Sequence, residues 1–225
     1  MILSIRSVPQ GTGRVCCCRL AGIDVMNATL EIQENIATVV APAFTIAGEA
    51  LEHVLAREAL LDRAMGEGRR RKSSEKLRRG RLPAEGLAFA ALGEDGALAG
   101  TVRLWDVHAG LDAFGFPVSA LLLGPLAVEP SAAGCGIGSA LMRHAIDEAR
   151  RLGHGAILLV GDPEYYGRFG FTAEKTGELA MPGPYEKRRF LALELKPGHL
   201  DGAHGILRAS GRKVPRAEAP ARRSA

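Results

Sequence analysis

The chain has 225 residues, of which 47% are hydrophobic and 24% are charged, and its formal net charge is +4. This length accommodates one domain of ordinary size with tails, or two small domains. No apolar stretch approaches the roughly 18 residues that a membrane span needs, because the best run, Val118 to Val128, has 11 residues and contains Gly124 and Pro125.

The N-terminal part of the chain gives little periodic signal. Residues 1–42 have mixed polarity and are interpreted as a flexible leader, or as a leader that is absent if translation starts at Met26. Neither a signal peptide nor a disulfide framework is indicated. Three of the four cysteines are adjacent (residues 16–18), Cys135 stands alone, and no CxxC or Cys/His metal spacing occurs. We therefore expect a cytoplasmic protein without a bound metal.

Periodic patterns run from residue 43 to 197 and predict a single domain. Phe44–Ile46 is predicted to be a short strand, and Glu49–Met65 an amphipathic helix that ends at Gly66. The apolar face of this helix is assigned to Leu51, Val54, Leu55, Leu61 and Met65. Ser73 and Ser74 are predicted to cap a short helix through Leu77.

Positive charge is concentrated in two segments. Eight basic residues and one acid lie between Arg69 and Arg81, and seven basic residues and two acids follow Leu195. Such runs can bind phosphates or acidic surfaces, but we interpret them as a solvated face and a disordered tail. The run from Arg69 to Arg81 lacks the aromatic residues that stack on bases, so we expect no nucleic-acid partner.

The rest of the pattern predicts a mixed sheet flanked by helices. A strand, Leu87–Leu92, leads through the hairpin signal Asp95-Gly96 into a return strand, Ala97–Val107. After a glycine-rich connection, His108–Pro117, the remaining elements are a buried central strand (Ala120–Val128), a helix (Gly136–Leu152), a buried strand (Ala156–Val160), a helical turn (Glu164–Phe169) and a final strand (Phe190–Leu195). The helix has one apolar stripe: Ile137, Leu141, Ala145, Ala149 and Leu152. From Pro197 the pattern is lost, and residues 198–225 are interpreted as a basic tail.

The most informative segment is the glycine loop between the central strand and the long helix. Gly134, Gly136 and Gly138 let the backbone approach a bulky anion, and the first turn of the helix offers unpaired N–H groups and a partial positive charge. A Walker loop is excluded because no lysine follows these glycines. A dinucleotide-binding loop stays open, since Asp162 ends the next strand, but the third glycine comes one residue early.

Two motifs together resemble the GNAT family of N-acetyltransferases. The first runs from Ala133 to Gly138 (Ala-Gly-Cys-Gly-Ile-Gly), and the second is Tyr166-Gly-Arg-Phe-Gly-Phe171. The segments "LLLGPLAVEP" and "AILLVGDPEYYGRFGF" are similar to bacterial proteins of the YhbS-like group of this family. The resemblance implies an α/β (α+β) GNAT fold with a mostly antiparallel sheet and a splayed central strand pair. One departure is Ala133, where the family usually has Gln or Arg.

The resemblance also implies roles for individual residues. The cofactor, acetyl-CoA, would lie along Leu126, Ala127 and Val128, with its pyrophosphate on the loop and helix start (Gly134, Cys135, Gly136, Ile137, Gly138 and Ser139). Asp162 stands where many members have a cofactor-contacting Asn, although it can equally cap the helical turn. Tyr166 is the expected general acid.

The base is less determined than the acid. Glu129 is the first candidate for the general base, and Asp106 and His108 are further candidates. Trp105 and Tyr185 are candidates for the acceptor pocket. The expected function is direct transfer of an acetyl group from acetyl-CoA to a primary amine on a small molecule or peptide, by a monomer or homodimer with no membrane partner. The alternatives are a GNAT module that senses acyl-CoA without turnover and an NAD-binding oxidoreductase.

Overall fold

A computed structural model describes residues 44–215. The predicted leader, the cysteines at 16–18 and residues 216–225 lie outside this range. The strands are β1 (Phe44–Gly48), β2 (Ala88–Gly93), β3 (Leu98–Leu111), β4 (Pro117–Val128), β5 (Ala156–Val160), β6 (Leu179–Ala180), β7 (Phe190–Glu194), β8 (Gly205–Ile206) and β9 (Arg208–Ala209). The α-helices are α1 (His53–Met65), α2 (Glu75–Arg78), α3 (Ile137–Arg151) and α4 (Pro163–Tyr166). Across these described residues, no helix is long and apolar enough to cross a membrane.

The main sheet is mixed and mostly antiparallel, as predicted. Its strand order is β1-β2-β3-β4-β5-β7, and only the β4–β5 pair is parallel. The predicted hairpin joins β2 to β3: Gly96 has φ +76°, and the Asp95 carboxylate accepts a hydrogen bond of 2.9 Å from the Ala97 N–H. The predicted connection His108–Pro117 is too long, because β3 continues to Leu111 and β4 begins at Pro117.

Helix α3 covers one face of the sheet. Its buried residues include Ile137, Leu141, Ala145 and Ala149, which confirms four members of the predicted stripe. Leu152 follows the helix and is 42% exposed, so its assignment to the stripe was wrong. Each large apolar side chain that is fully buried here contributes about 1.5–3 kcal/mol, so this stripe holds α3 firmly against the strands that build the candidate site.

The opposite face is covered by the C-terminal segment. Leu200, Ala203 and Leu207 are buried there against strand residues such as Trp105 and Phe190. Strand β9 also pairs with β3. The interpretation of residues 198–215 as a tail was therefore wrong. Isolated apolar residues among glycines have neither helical nor strand periodicity, so the pattern carried no sign of this packing.

The N-terminal helices also differ from prediction. Leu51 and Leu55 are exposed, so their assignment to the apolar face was wrong, whereas Leu61 is buried as predicted, together with Arg57 and Leu60. Arg57 is tolerated there because it forms an ion pair with Glu49. The serines before α2 do not act as predicted, since the side chain of its N-cap residue makes no capping hydrogen bond and the Ser73 hydroxyl donates to the Pro184 carbonyl.

Candidate active site at the opening between β4 and β5

The two parallel strands at the centre of the sheet separate along their length. Strands β4 and β5 pair only through Leu121 with Ile157 and Leu122 with Leu158. Beyond this point β4 continues to Val128, and within residues 44–215 its edge towards β5 is unpaired. A splayed central pair was expected from the family resemblance, and the strand pairing confirms it.

An irregularity in β4 marks the start of the opening. The register with β3 shifts between the Val102–Leu126 pair and the Leu104–Leu123 pair, so β4 has one residue more than β3. The extra residue falls at Gly124-Pro125, whose peptide bond is cis. Trp105 donates its indole N–H to the Gly124 carbonyl at 2.6 Å, which holds the bulge in place.

The hydrogen-bond alternation of β4 decides which backbone groups face the opening. The Glu129 N–H donates to Ala99 on the β3 side at 2.8 Å. Because antiparallel neighbours alternate between bonded and non-bonded pairs, Ala127 also directs its backbone groups to β3. Leu126 and Val128 direct theirs into the opening. Of the three β4 residues predicted to contact the cofactor, only Leu126 and Val128 therefore offer backbone groups to the opening.

A cavity of about 90 Å³ lies at the opening. Leu123 and Leu126 line it from β4, Leu159 and Val160 from β5, and Tyr166 from α4. It adjoins a second cavity of about 140 Å³, lined by residues that include Trp105, Glu58 and Glu75. The opening is therefore a small chamber of mixed polarity, because Lys72, Ser74 and Arg78 line it together with these apolar side chains.

Tyr166 is held tightly at this cavity. A Cβ atom on residue 161 would collide with the Tyr166 ring, so only glycine at the end of β5 admits it. The ring packs edge-on against Tyr165 and Phe171, with centroids 4.9 and 6.1 Å away. Burial raises the pKa of Tyr166 to about 12, so the phenol is protonated at neutral pH.

The glycine loop presents backbone donors to solvent at the far end of β4. Gly134 and Gly136 have positive φ angles of +86° and +79°, which favour glycine. Gly136 is the N-cap of α3 and the helix has no side-chain cap, so its first N–H groups are available to an anion. Ala133 and Cys135 are exposed, while Gly138 and Ser139 in the first turn are half-buried. These residues suit a phosphate held mainly by backbone.

Other predicted site residues lie elsewhere. Glu129 binds Arg63 at 2.6 Å and does not line the cavity at the opening. Asp162 is exposed at the N-cap of α4, where its side chain makes no capping hydrogen bond. Asp106 and His108 pair with Leu121 and Ser119, at the closed end of the strand pair. The two β3 candidates therefore do not meet Tyr166.

The basic segment is only partly a solvated face, since five of its eight basic residues are exposed but Arg78 is not. Lys72 and Arg78 line the cavity at the opening. The Arg78 side chain is only 10% exposed, and burial lowers its pKa despite the Glu75 carboxylate 3.2 Å away. Arg78 lies next to the bulge at Gly124, which is 46 residues away in the chain. The density of positive charge was therefore the only feature of the sequence that could have pointed to this segment as part of the site.

Glu58, in the adjoining cavity, is also tied to this basic segment. Burial alone would raise the pKa of Glu58, but hydrogen bonds from Arg69 and Arg57 outweigh burial and lower the pKa to about 2. This carboxylate is therefore a weak proton acceptor. Among residues 44–215, no group of three or more His, Cys, Asp or Glu side chains could hold a metal ion.

Comparison with known proteins agrees with this geometry. The model of the acetyltransferase (GNAT) family matches residues 54–171. The uncharacterized N-acetyltransferase YhbS of Escherichia coli K12 is 27% identical over 121 residues, which are 54% of this chain and 70% of that protein.

Two solved structures share the fold. The crystal structure of E. coli YhbS in complex with CoA has a TM-score of 0.63 at 26% identity, covering 76% of this chain and 91% of that one. A GNAT family acetyltransferase from Brucella melitensis, in complex with acetyl-CoA, has a TM-score of 0.54 at 24% identity, covering 76% and 97%. Since the family model spans more than half of the sequence, the chain belongs to the GNAT family of acetyltransferases.

Proposed function

We propose that this protein transfers an acetyl group from acetyl-CoA to a primary amine by direct attack. The observation that carries the proposal is the opening between β4 and β5, with an unpaired strand edge on one side and a protonated tyrosine at its end. Cys135 is the one cysteine among residues 44–215, and it lies in the glycine loop rather than at the opening. This supports direct transfer over an acyl-cysteine intermediate.

The cofactor would lie along β4. Its pyrophosphate would accept hydrogen bonds from the backbone between Gly134 and Ser139, where the helix dipole of α3 also favours negative charge. Its pantetheine arm would pair with the free backbone groups of Val128 and Leu126. The CoA complex of E. coli YhbS, a relative of this chain, supports this choice of cofactor.

The chemistry then needs a polarised thioester and a protonated leaving group. The Leu126 N–H is the first donor after the bulge, because Pro125 has none, and it would polarise the thioester carbonyl. The amine nitrogen forms a bond to the carbonyl carbon, the C–S bond breaks, and Tyr166 gives its proton to the departing thiolate. The amine proton passes to a base.

We propose Glu75 as the base to test before Glu129. Glu75 lines the cavity that adjoins the opening, whereas Glu129 is bound by Arg63 away from it. Glu58 lines the same cavity, but its pKa of about 2 makes it a weak acceptor of a proton. Glu75→Gln should lower kcat more than Glu129→Gln, and the opposite order would restore Glu129 as the candidate.

A binding measurement and a turnover measurement test the function. CoA should raise the melting temperature, with about 2.7 kcal/mol of stabilisation at a hundredfold excess over Kd, and NAD should not. Thiol release from acetyl-CoA should require an amine and fall about 10²–10⁴-fold in Tyr166→Phe. Tyr165→Phe is the matched control. Binding of CoA without turnover on any amine would favour the acyl-CoA sensor.

A further inference from the structure

We propose that the acceptor amine carries an anionic group, a carboxylate or a phosphate, which Arg78 and Lys72 bind beside the opening. This inference rests on the proposed function and narrows its substrate class. Both basic residues line the cavity at the opening, and no acidic residue lines it. The segment that supplies them is the basic run between Arg69 and Arg81.

The Arg78 guanidinium has spare hydrogen-bonding capacity in a buried place. Its Nη2 donates to the Ser74 hydroxyl at 3.3 Å and lies 3.2 Å from the Glu75 carboxylate. Its Nε is buried and has no hydrogen-bond partner among the side chains and backbone that the structure describes. Its Nη1 lies 3.8 Å from where a Cβ on Gly124 would stand. A buried charged donor without a partner is costly, and an anion in this cavity would offset that cost.

Lys72 adds a second positive charge at the same place. It is exposed and lines the same cavity as Arg78. The arginines nearby are different, since Arg69 is bound by Glu58 and Asp62, and Arg103 by Glu49. Arg78 and Lys72 are thus the two cations that line this cavity, and the Arg78 Nε is left without a partner although its Nη2 pairs with Glu75.

The phosphates of CoA do not account for this pair. The glycine loop that suits the pyrophosphate follows Val128, which is four residues beyond Gly124 and hence about 13 Å further along the strand. Arg78 lies instead at the bulge, and it lines the same cavity as Leu126, whose N–H would polarise the thioester. A bound anion here would therefore be part of the acceptor.

The same charges bear on the state of the amine. Two cations would repel an ammonium group and favour its neutral, nucleophilic form. A simple alkylamine would make no attractive contact with these two cations. An amine with a carboxylate or phosphate a few bonds away would be attracted and also oriented, because arginine binds such groups with directional hydrogen bonds.

Matched acceptor pairs test the inference on the full-length chain. β-Alanine is compared with 3-aminopropanol and phosphoethanolamine with ethanolamine, within a panel of free amino acids, by thiol release from acetyl-CoA. The anionic member should have the higher kcat/KM, and Arg78→Gln should lower the ratio of the anionic to the neutral member's kcat/KM about tenfold or more. The ratio removes any effect of the substitution on Glu75, which pairs with Arg78 and which both acceptors share. Arg79→Gln, next to it and outside the cavity, should leave the ratio unchanged.

A binding experiment keeps this inference separate from the proposed function. With saturating CoA, which fills the pyrophosphate site, inorganic phosphate or acetate should raise the melting temperature of the wild type and of Arg79→Gln but not of Arg78→Gln. Loss of CoA binding altogether would overturn both proposals. Turnover with no preference for anionic acceptors, or anion stabilisation that survives in Arg78→Gln, would overturn the anionic acceptor alone. So would a protein that binds CoA but neither turns over nor responds to any of these anions.

Discussion

Replacing Gly161 by alanine tests how firmly the fold holds Tyr166. Gly161 is buried at the end of β5, and its N–H donates to the Arg189 carbonyl at 2.9 Å, so the backbone cannot easily move away. An added Cβ would meet the Tyr166 ring. The ring is confined by Tyr165 and Phe171. The methyl group must therefore displace the phenol or strain its surroundings.

Gly167→Ala is the matched control. Gly167 follows Tyr166 directly in the chain, and a Cβ added to it would meet no atom within 4 Å. Both substitutions reduce the freedom of the unfolded chain by a similar amount, about 0.4–1 kcal/mol. The difference between the two variants therefore isolates the collision, and overpacking of this kind costs about 1–3 kcal/mol.

The assay is thermal unfolding followed by activity. For a chain of this size about 1 kcal/mol shifts the melting temperature by roughly 2–4 °C, so Gly161→Ala should melt about 2–12 °C below Gly167→Ala. It should also lower kcat, since displacement of a catalytic group by about 1 Å can cost on the order of 10²-fold. Equal melting temperatures would refute the reasoning, as would an unchanged cost of Gly161→Ala in a Tyr166→Ala background.

Three further predictions concern pH and packing. The pKa of Tyr166 in the folded protein is raised from 10.0 to about 12, so its contribution to stability is complete below pH 10 and lost as pH rises towards 12. Tyr166→Phe should therefore reduce the loss of unfolding free energy that urea titrations measure between these pH values. The pKa of Glu58 is lowered from 4.5 to about 2, so its contribution to stability is present above pH 4.5 and lost as pH falls towards 2. Glu58→Gln should therefore make the free energy of unfolding depend less on pH in that window. An unchanged pH dependence would count against the ion pairs of Glu58. Leu207 is buried, so Leu207→Ala should lower the free energy of unfolding by about 2–5 kcal/mol. Its neighbour Ile206 is exposed, so Ile206→Ala should change that free energy by about 0.5 kcal/mol or less. Equal effects would mean that the C-terminal segment does not pack on the sheet.

Local patterns were sufficient for the centre of the fold. The strand before Val128, the glycine loop and the stripe from Ile137 to Ala149 each depend on neighbours within a few turns of chain, so periodicity and glycine placement predicted them. The same reasoning failed for α1, where the exposed Leu51 and Leu55 lie beside the buried Arg57. Arg57 is tolerated because it pairs with Glu49, which Arg103 of β3 also binds, and no local pattern announces this contact with the sheet.

The sequence by itself determined the family frame: a hairpin, a buried strand, a glycine loop that opens a helix and a tyrosine motif after the next strand. The tertiary structure alone decided what surrounds the opening of that frame. It brought Arg78 to Gly124, directed Leu126 rather than Ala127 into the opening, and buried Leu207 in a segment without periodicity. Short-range patterns record backbone preference and which face is apolar, whereas these contacts join residues far apart in the chain and exist only once the sheet has formed.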